Sequence, residues 1–419
     1  MAEKFRIGFP ETALPFIPPA DKFLEYTSRP GGLAGLINTL GSQIGQPLPD
    51  SKTVRKAVKE GVSPRSFDQI KSVLESFCTP AMHDYITGSY LAPWMETRLH
   101  QNGLAWLCMV RGQHLMTFQA DQPETFTEQF IKRRAEQELE LLQAGLDIQN
   151  RAEATNAEEH WRETLNDFLV LHSGVESHHV ERGLDAWVRL KARRNQPRKE
   201  DKEDVGLLFE LYSRLRTDFY YQLLCNLSLD FIRWFKTQGS LSEHDGQWLI
   251  RNSFVGDMVP VFKGDILILP FESLLDTWRK SAGPNGSDLS WARVSQCLPD
   301  PYGLDENTSR APTQTVEERI ERIRKNKESR LREWRTGTRP EREQLGQFVR
   351  NLIPIEEDVP LAMVRLDIAC IWGSFIIDER ATFEKYGLMG AFQETLPAFE
   401  RFPDYWADYQ AQAAQIVAA

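Results

Sequence analysis

The chain has 419 residues, of which 41% are hydrophobic and 11% aromatic, a composition typical of packed globular proteins and not of disordered scaffolds. Fifty basic and 60 acidic residues give a formal net charge of −10, which disfavours a protein that coats nucleic acid unselectively. A polyanion site on this chain must therefore be a local patch. The length predicts about two or three domains.

Residues 33 to 77 are the most informative segment, because their apolar side chains recur at the spacing of three short helices. In the first helix the apolar positions lie three and four apart, and Gly45 is predicted to end it. Those positions are Leu33, Leu36, Ile37, Leu40 and Ile44. An apolar stripe needs a partner to cover it, so we expect a core shared with the two helices that follow.

The second helix of this segment is predicted to have an apolar side and a basic side. Ser51 stands where an N-cap hydroxyl would meet free amide groups, and Gly61 is the predicted stop. The inward side consists of Val54, Ala57 and Val58. The outward side carries Lys52, Arg55, Lys56 and Lys59. Pro64 opens the third helix, whose inward positions are Phe67, Ile70, Val73, Leu74 and Phe77.

The run TVRKAVKEGVSPRSFDQIKSVL resembles the recognition helix, glycine turn and following helix of the Cro/CI-type helix-turn-helix family. The likeness covers about a tenth of the chain, and GQPLPDS stands where the family has a short positioning helix. The resemblance implies binding to double-stranded DNA, with Arg65 on the backbone. The resemblance also implies that five side chains of the second helix face bases or phosphates: Lys52, Thr53, Arg55, Lys56 and Lys59. The pattern fits a helical subdomain with solvated lysines equally well.

Further helices are predicted from about Pro123, over residues 157 to 172 and over 178 to 192, each with apolar side chains at helical spacing. The charged segment from 192 to 204 contains a proline and has no apolar member after Ala192, which predicts a linker. After it, residues 205 to 237 repeat large apolar side chains at three and four. This helix is predicted to lie at the centre of the second half of the chain.

Residues 255 to 271 are the one strand-like stretch, with glycine and proline punctuation around ILIL, and predict a small β-hairpin. Residues 281 to 315 are rich in glycine, proline and polar side chains and predict a loop around a short helix that carries Trp291. The apolar run MVRLDIACIWGSFII then predicts a buried helix, followed by an aromatic-rich final element.

A second basic patch is predicted on the helix that follows residue 315. Between Arg319 and Arg339 there are nine basic and three acidic residues, a local surplus of six. We expect five side chains of this helix to contact phosphates, with an affinity that falls as the salt concentration rises. They are Arg319, Arg322, Lys327, Arg330 and Arg335. A solvated helix with ion pairs four residues apart, such as Glu318 with Arg322, is the alternative.

The densest cluster of titratable residues is HSGVESHHVERG, at residues 172 to 183. Glu176 and His179 have the spacing of metal ligands on a helix, but this Glu-x-x-His occurs once and has no second copy for a di-metal bundle. No HExxH, GxSxG, Walker-type or GxGxxG motif occurs, and nothing selects one carboxylate pair from the others. We therefore predict no catalytic residues, no metal ligands and no cofactor.

The five cysteines are scattered and odd in number, which predicts reduced core residues and not a disulfide framework or a zinc ribbon. They are Cys78, Cys108, Cys225, Cys297 and Cys370. The first twenty residues contain no long apolar run, and no run of about 18 uncharged apolar residues occurs, so neither a signal peptide nor a membrane span is predicted. These features predict a cytoplasmic protein without a membrane partner.

Together these patterns predict a mainly α, multi-helix protein in three parts: a helix-turn-helix-like module at 1–80, a helical domain at 81–195 and a larger helical domain at 205–419 with a loop-rich insert at 281–315. The function they favour is a non-enzymatic regulator or adaptor that contacts DNA through the N-terminal module and docks a protein partner, or a second copy, through its helical body. A protein–protein scaffold without nucleic-acid binding and a helical metal enzyme around 172–181 remain open alternatives.

Overall fold

The computed structural model describes residues 47–59, 62–76, 124–151, 157–192, 201–264, 266–281, 287–299, 315–338, 340–353 and 355–419, with isolated positions before residue 124. The described chain is mainly α, and its β-structure is a single two-stranded antiparallel hairpin. The predicted fold class is thereby confirmed. Apolar periodicity reports helices well because the stripe that it marks is the face that each helix buries.

The helices of the first half are α1 Ser51–Lys59, α2 Pro64–Ser76, α3 Phe126–Arg151, α4 Ala157–His172, α5 Ser177–Ala192, α6 Lys202–Thr237 and α7 Glu243–Asn252. The hairpin follows, with β1 Val261–Lys263 paired to β2 Ile266–Ile268 so that Phe262 lies opposite Leu267. The remaining helices are α8 Pro270–Ser281, α9 Trp291–Gln296, α10 Val316–Arg335, α11 Arg342–Leu352, α12 Val359–Lys385, α13 Met389–Thr395 and α14 Phe402–Ala418.

The chain divides into two compact units. Unit 1 comprises residues 1–25, 29–254 and 382–419, and unit 2 comprises 26–28 and 255–381. This division differs from the predicted one. The predicted linker at 192–204 lies inside unit 1, and the predicted domain at 205–419 is shared between the units.

The core of unit 1 is built around α6, which packs against α3, α5, α13 and α14. Buried side chains lie on every face of this helix, among them Leu211, Phe219 and Tyr220. A helix that is buried all round must be covered from several sides. Helix α6 therefore lies at the centre of a unit drawn from both halves of the chain, and not of the second half alone, because α3 and α5 supply part of its cover.

In unit 2, helix α10 packs against α8 and α9. Helix α12 is apolar on all sides, and none of residues 361–379 is exposed. Within unit 2 the Tyr26 hydroxyl donates to Asp378 over 2.8 Å, and the rings of Tyr26 and Phe375 meet edge to face.

Among the described residues, α12 is the one helix long and apolar enough to cross a membrane by length and composition. The core helix of a soluble protein meets the same criteria, so the predicted absence of a membrane span stays a prediction. The cysteines described are free thiols: Cys225 is buried, and Cys297 and Cys370 are half-buried.

Candidate nucleic-acid interface

Helix α1 begins with a carboxylate cap. The backbone N–H of Thr53 donates to Asp50 Oδ1 over 2.9 Å, and the Thr53 hydroxyl donates to Oδ2 over 3.1 Å. These hydrogen bonds hold the pKa of the Asp50 carboxyl below its ordinary value. The prediction that Ser51 caps this helix was wrong, because Ser51 is already the first helical residue and the preceding carboxylate reaches the free amide.

The two sides of α1 separate as predicted. Val54 and Ala57 have no exposed surface. Lys52, Arg55 and Lys56 are exposed. The helix SKTVRKAVK contains no acidic residue, so no carboxylate on α1 itself lies beside these cations. The side chains of Val58 and Lys59 lie outside the described residues, although Lys59 ends the helix.

Helix α2 supports α1 from one side. The two helices pack against each other, and α2 begins at Pro64, where the missing N–H of proline costs no hydrogen bond. Ile70 and Val73 are buried, and Phe67 is half-buried. Arg65 is exposed in the first turn of α2. The predicted inward residue Phe77, the predicted stop Gly61 and the side chain of Leu74 lie outside what the structure describes.

The residues directly before α1, 47–50, have no regular structure. Gly45 adopts a left-handed backbone conformation with φ of 65°, as expected for the predicted end of the preceding helical segment, in which Gly41 and Ser42 are helical. Ile37, in that preceding segment, is fully buried. An open cleft of about 440 Å³ lies between this segment and the first residue of α1, with Ser42, Leu48 and Ser51 in its lining.

The second predicted patch, on α10, does not form a single basic track. Lys327 donates to the carbonyl of Gln296 over 3.3 Å, and Arg330 donates to Glu333 over 3.2 Å. Arg335 bonds Glu272 and stacks over the Trp291 ring at 3.8 Å. Three of the five predicted contacts are thus held by the protein itself.

The outer side of α10 carries a different set of cations. Arg319 and Arg322, which the sequence selected, are exposed. So are Lys325 and Arg332, which it missed. At about 100° per residue, Arg322, Lys325 and Arg332 lie on the side opposite the buried Leu331 and Trp334. In the sequence, the apolar residues Leu331 and Trp334 were the signal that could have identified the inner side of α10, and hence the cations on its outer side.

The residues of the histidine-rich cluster at 172–183 contact different partners and do not form one site. The amide of Gln137 donates to His172 Nδ1 over 3.0 Å, and burial, with the neighbouring Arg134, lowers the pKa of His172. His179 Nδ1 lies 2.9 Å from Glu210 Oε1, and burial, with Arg214, lowers the pKa of His179.

The acidic members of the cluster are divided in the same way. Glu176 pairs with Arg401 over 2.8 Å. Glu181, His160 and His178 are exposed. No group of three potential ligands within the described part of the chain could hold a metal ion.

A buried charge network holds the loop between α4 and α5, and it was not expected from the sequence. Asp218 Oδ1 accepts hydrogen bonds from the Gly174 N–H over 2.6 Å, the Gln222 amide over 2.9 Å and the Tyr405 hydroxyl over 2.9 Å. Its Oδ2 lies 3.4 Å from Arg134 Nη2, and both side chains are almost fully buried.

Residue 174 must be a glycine for this contact to form. A Cβ there would lie 2.7 Å from Tyr405 Oη and 2.9 Å from Asp218 Oδ1. Because Asp218 is saturated by donors, the network serves to fix the loop and offers no open site to a substrate.

No protein-family model, curated protein or solved structure matches this chain.

Proposed function

We propose that the chain is a nucleic-acid-binding regulator or adaptor that contacts double-stranded DNA through the outward side of α1. One observation carries the proposal: Lys52, Arg55 and Lys56 are exposed on a short helix whose Val54 and Ala57 are buried. A helix anchored by its apolar side while its cations face solvent has the form of an element that enters a DNA groove.

Further support comes from the neighbourhood of this face. Arg65 adds a fourth exposed cation at the start of α2. The sequence likeness of this segment to the Cro/CI-type helix-turn-helix family points to the same class of ligand. The net charge of −10 argues against binding over the whole surface, which makes a local contact the form of binding to expect.

The test is fluorescence anisotropy with a mixed-sequence DNA duplex over a series of salt concentrations. Each phosphate neutralised contributes a slope of about −0.9 to log K against log salt, so four cations predict a slope of about −3.6. Arg55→Glu combined with Lys56→Glu is expected to abolish binding, because two contacts become repulsions.

Lys132→Glu combined with Arg133→Glu is the matched control. These two cations are also adjacent and exposed, on α3, and their replacement changes the net charge by the same amount. The control is expected to leave the affinity within about twofold, since surface charges away from the contact act weakly across a Debye length. Equal losses in the two double variants, or duplex binding that the α1 variant retains, would contradict the proposal.

A further inference from the structure

The outer side of α10 is an exposed cationic helix face. Arg322, Lys325 and Arg332 are exposed, and the side chains of Arg322 and Arg332 make no ion pair or hydrogen bond among the described residues. The face extends about 15 Å, because ten residues of helix separate its two ends at about 1.5 Å each.

Four of the five acidic residues of α10 are bound mainly by groups outside this face, which therefore keeps most of its charge. Glu318 closes a capping box with Thr315 at the start of the helix. Glu321 and Glu328 bind Arg324, over 2.7 and 3.0 Å, and Glu333 binds Arg330. Glu321 also lies 3.6 Å from Lys325, so one of the three cations is partly compensated.

A face of opposite charge and matching length lies on α4. Glu159, Glu163 and Asp167 recur every four residues and are all exposed. They extend over about 12 Å of helix. Glu163 has a neighbouring histidine at 3.9 Å, His160, and the side chains of Glu159 and Asp167 make no ion pair or hydrogen bond among the described residues.

The acidic face of α4 also ends in exposed apolar side chains. Val170 is 40% exposed and Leu171 is 75% exposed, although both are large aliphatic residues at the end of a helix. The aliphatic stems of arginine and lysine can cover such residues while their charged groups bind carboxylates. The α4 face thus presents carboxylates that can bind the charged groups of the α10 face and apolar side chains that their aliphatic stems can cover.

We propose that the chain self-associates, with the outer face of α10 (Arg322, Lys325 and Arg332) in one copy bound to the outer face of α4 (Glu159, Glu163 and Asp167) in a second copy. Charge complementarity selects this occupant, because both faces are exposed on the same chain and have similar lengths. A nucleic acid accounts for fewer of these features, since it would leave the exposed Val170 and Leu171 of α4 uncovered.

The experiment is sedimentation velocity on the full chain before and after nuclease treatment, at about 50 mM and about 500 mM salt, since exposed ion pairs weaken as the Debye length shortens. The unmodified chain is expected to form a faster-sedimenting species at low salt and to lose most of it at high salt. Reversing the α10 face with Arg322→Glu, Lys325→Glu and Arg332→Glu is expected to abolish that species. Reversing the α4 face with Glu159→Lys, Glu163→Lys and Asp167→Lys is expected to do the same.

Mixing the two reversed variants provides the decisive measurement. The native α10 of one variant then meets the native α4 of the other, and the reversed faces are complementary as well, so association should return. Its return shows that both variants are folded and that these two faces bind each other. A triple reversal of exposed cations elsewhere, at Lys132, Arg133 and Arg182, is the matched control and should associate like the unmodified chain.

Three results would overturn the proposal. The first is an unmodified chain that is monomeric at low salt and micromolar concentration. The second is a mixture of the reversed variants that stays monomeric while each has the helical circular dichroism of the unmodified chain. The third is a faster species that disappears on nuclease treatment, which would assign the α10 face to nucleic acid.

Discussion

Helices α1 and α10 are both rich in cations, yet the structure uses them differently. Helix α1 contains no acidic residue, and its described basic side chains, Lys52, Arg55 and Lys56, are exposed while Val54 and Ala57 are buried. Helix α10 has eight basic and five acidic residues, and several of its cations are bound by carboxylates three or four positions away or by side chains of α8 and α9. The positions of carboxylates and buried anchors, more than the number of cations, therefore decide which charges a partner can reach.

The largest expected effect tests whether the inner side of α10 is structural. Trp334 is 2% exposed and packs edge to face on Phe271 and Phe348. Trp334→Ala is expected to cost about 3–5 kcal/mol of unfolding free energy, through lost burial and the cavity that remains. Urea unfolding followed by circular dichroism measures it. Arg332→Ala, on the outer side of the same helix, should change the free energy of unfolding by less than about 0.5 kcal/mol. Equal costs at the two positions would show that the two sides of α10 do not differ.

An intermediate effect is expected at the apolar anchor of α1. Val54 has no exposed surface, and Val54→Ala removes two buried methyl groups, which should cost about 2 kcal/mol. Hydrogen exchange of the α1 amides is the measurement, because it reports the opening of this helix directly. Lys52→Ala is the control and should leave the exchange rates unchanged. Equal protection in the two variants would show that α1 is not anchored by its apolar side.

A smaller effect is expected where α10 uses an arginine within its own unit. Arg335 is half-buried, bonds Glu272 and stacks on Trp291. Arg335→Ala is expected to cost about 1 kcal/mol in urea unfolding. Arg335→Lys should recover only part of the loss, because lysine keeps the charge but lacks the planar group that stacks. If the Ala variant were as stable as the unmodified chain, the contacts of Arg335 with Glu272 and Trp291 would not stabilise the fold, and Arg335 would be available to a partner.

The smallest effect concerns the cap of α1 and its dependence on pH. The pKa of Asp50 is lowered in the folded protein, so its contribution to stability is present above the unfolded pKa of about 3.9 and is lost as pH falls through the lower folded value. Asp50→Ala should accelerate hydrogen exchange in the first turn of α1 at neutral pH. Asp50→Asn keeps a capping oxygen and should largely restore protection, without the loss at acid pH. Acid-sensitive protection that persists in the Asn variant would assign the effect to another group.

Local patterns in the sequence were sufficient for the element types. The predicted helix at 157 to 172 was observed with those bounds, the one predicted for 205 to 237 runs from Lys202 to Thr237, and the predicted hairpin lies within residues 255 to 271. These features depend on spacing along the chain, which apolar periodicity and glycine or proline punctuation report directly.

Contacts between residues that are distant in sequence could not be predicted from local patterns. Arg134, Gly174, Asp218 and Tyr405 come from four separate elements and form one network. Each looks like an ordinary polar or glycine position until the packing of α3, α5 and α14 on α6 is known. The two compact units could not be read from local patterns for the same reason, since α6 packs against helices from both sides of the charged segment at 192–204.

The sequence by itself determined that the chain is helical, which side of α1 is apolar and that its other side is basic, because these properties follow from residue spacing at about 100° per residue. Only the tertiary structure decided which charges are left for a partner. Arg335, Arg330 and Lys327 are held within unit 2, whereas Arg322 and Arg332 face outward. The reason is that a side chain's availability depends on neighbours that are distant in sequence, and folding alone brings those neighbours into contact.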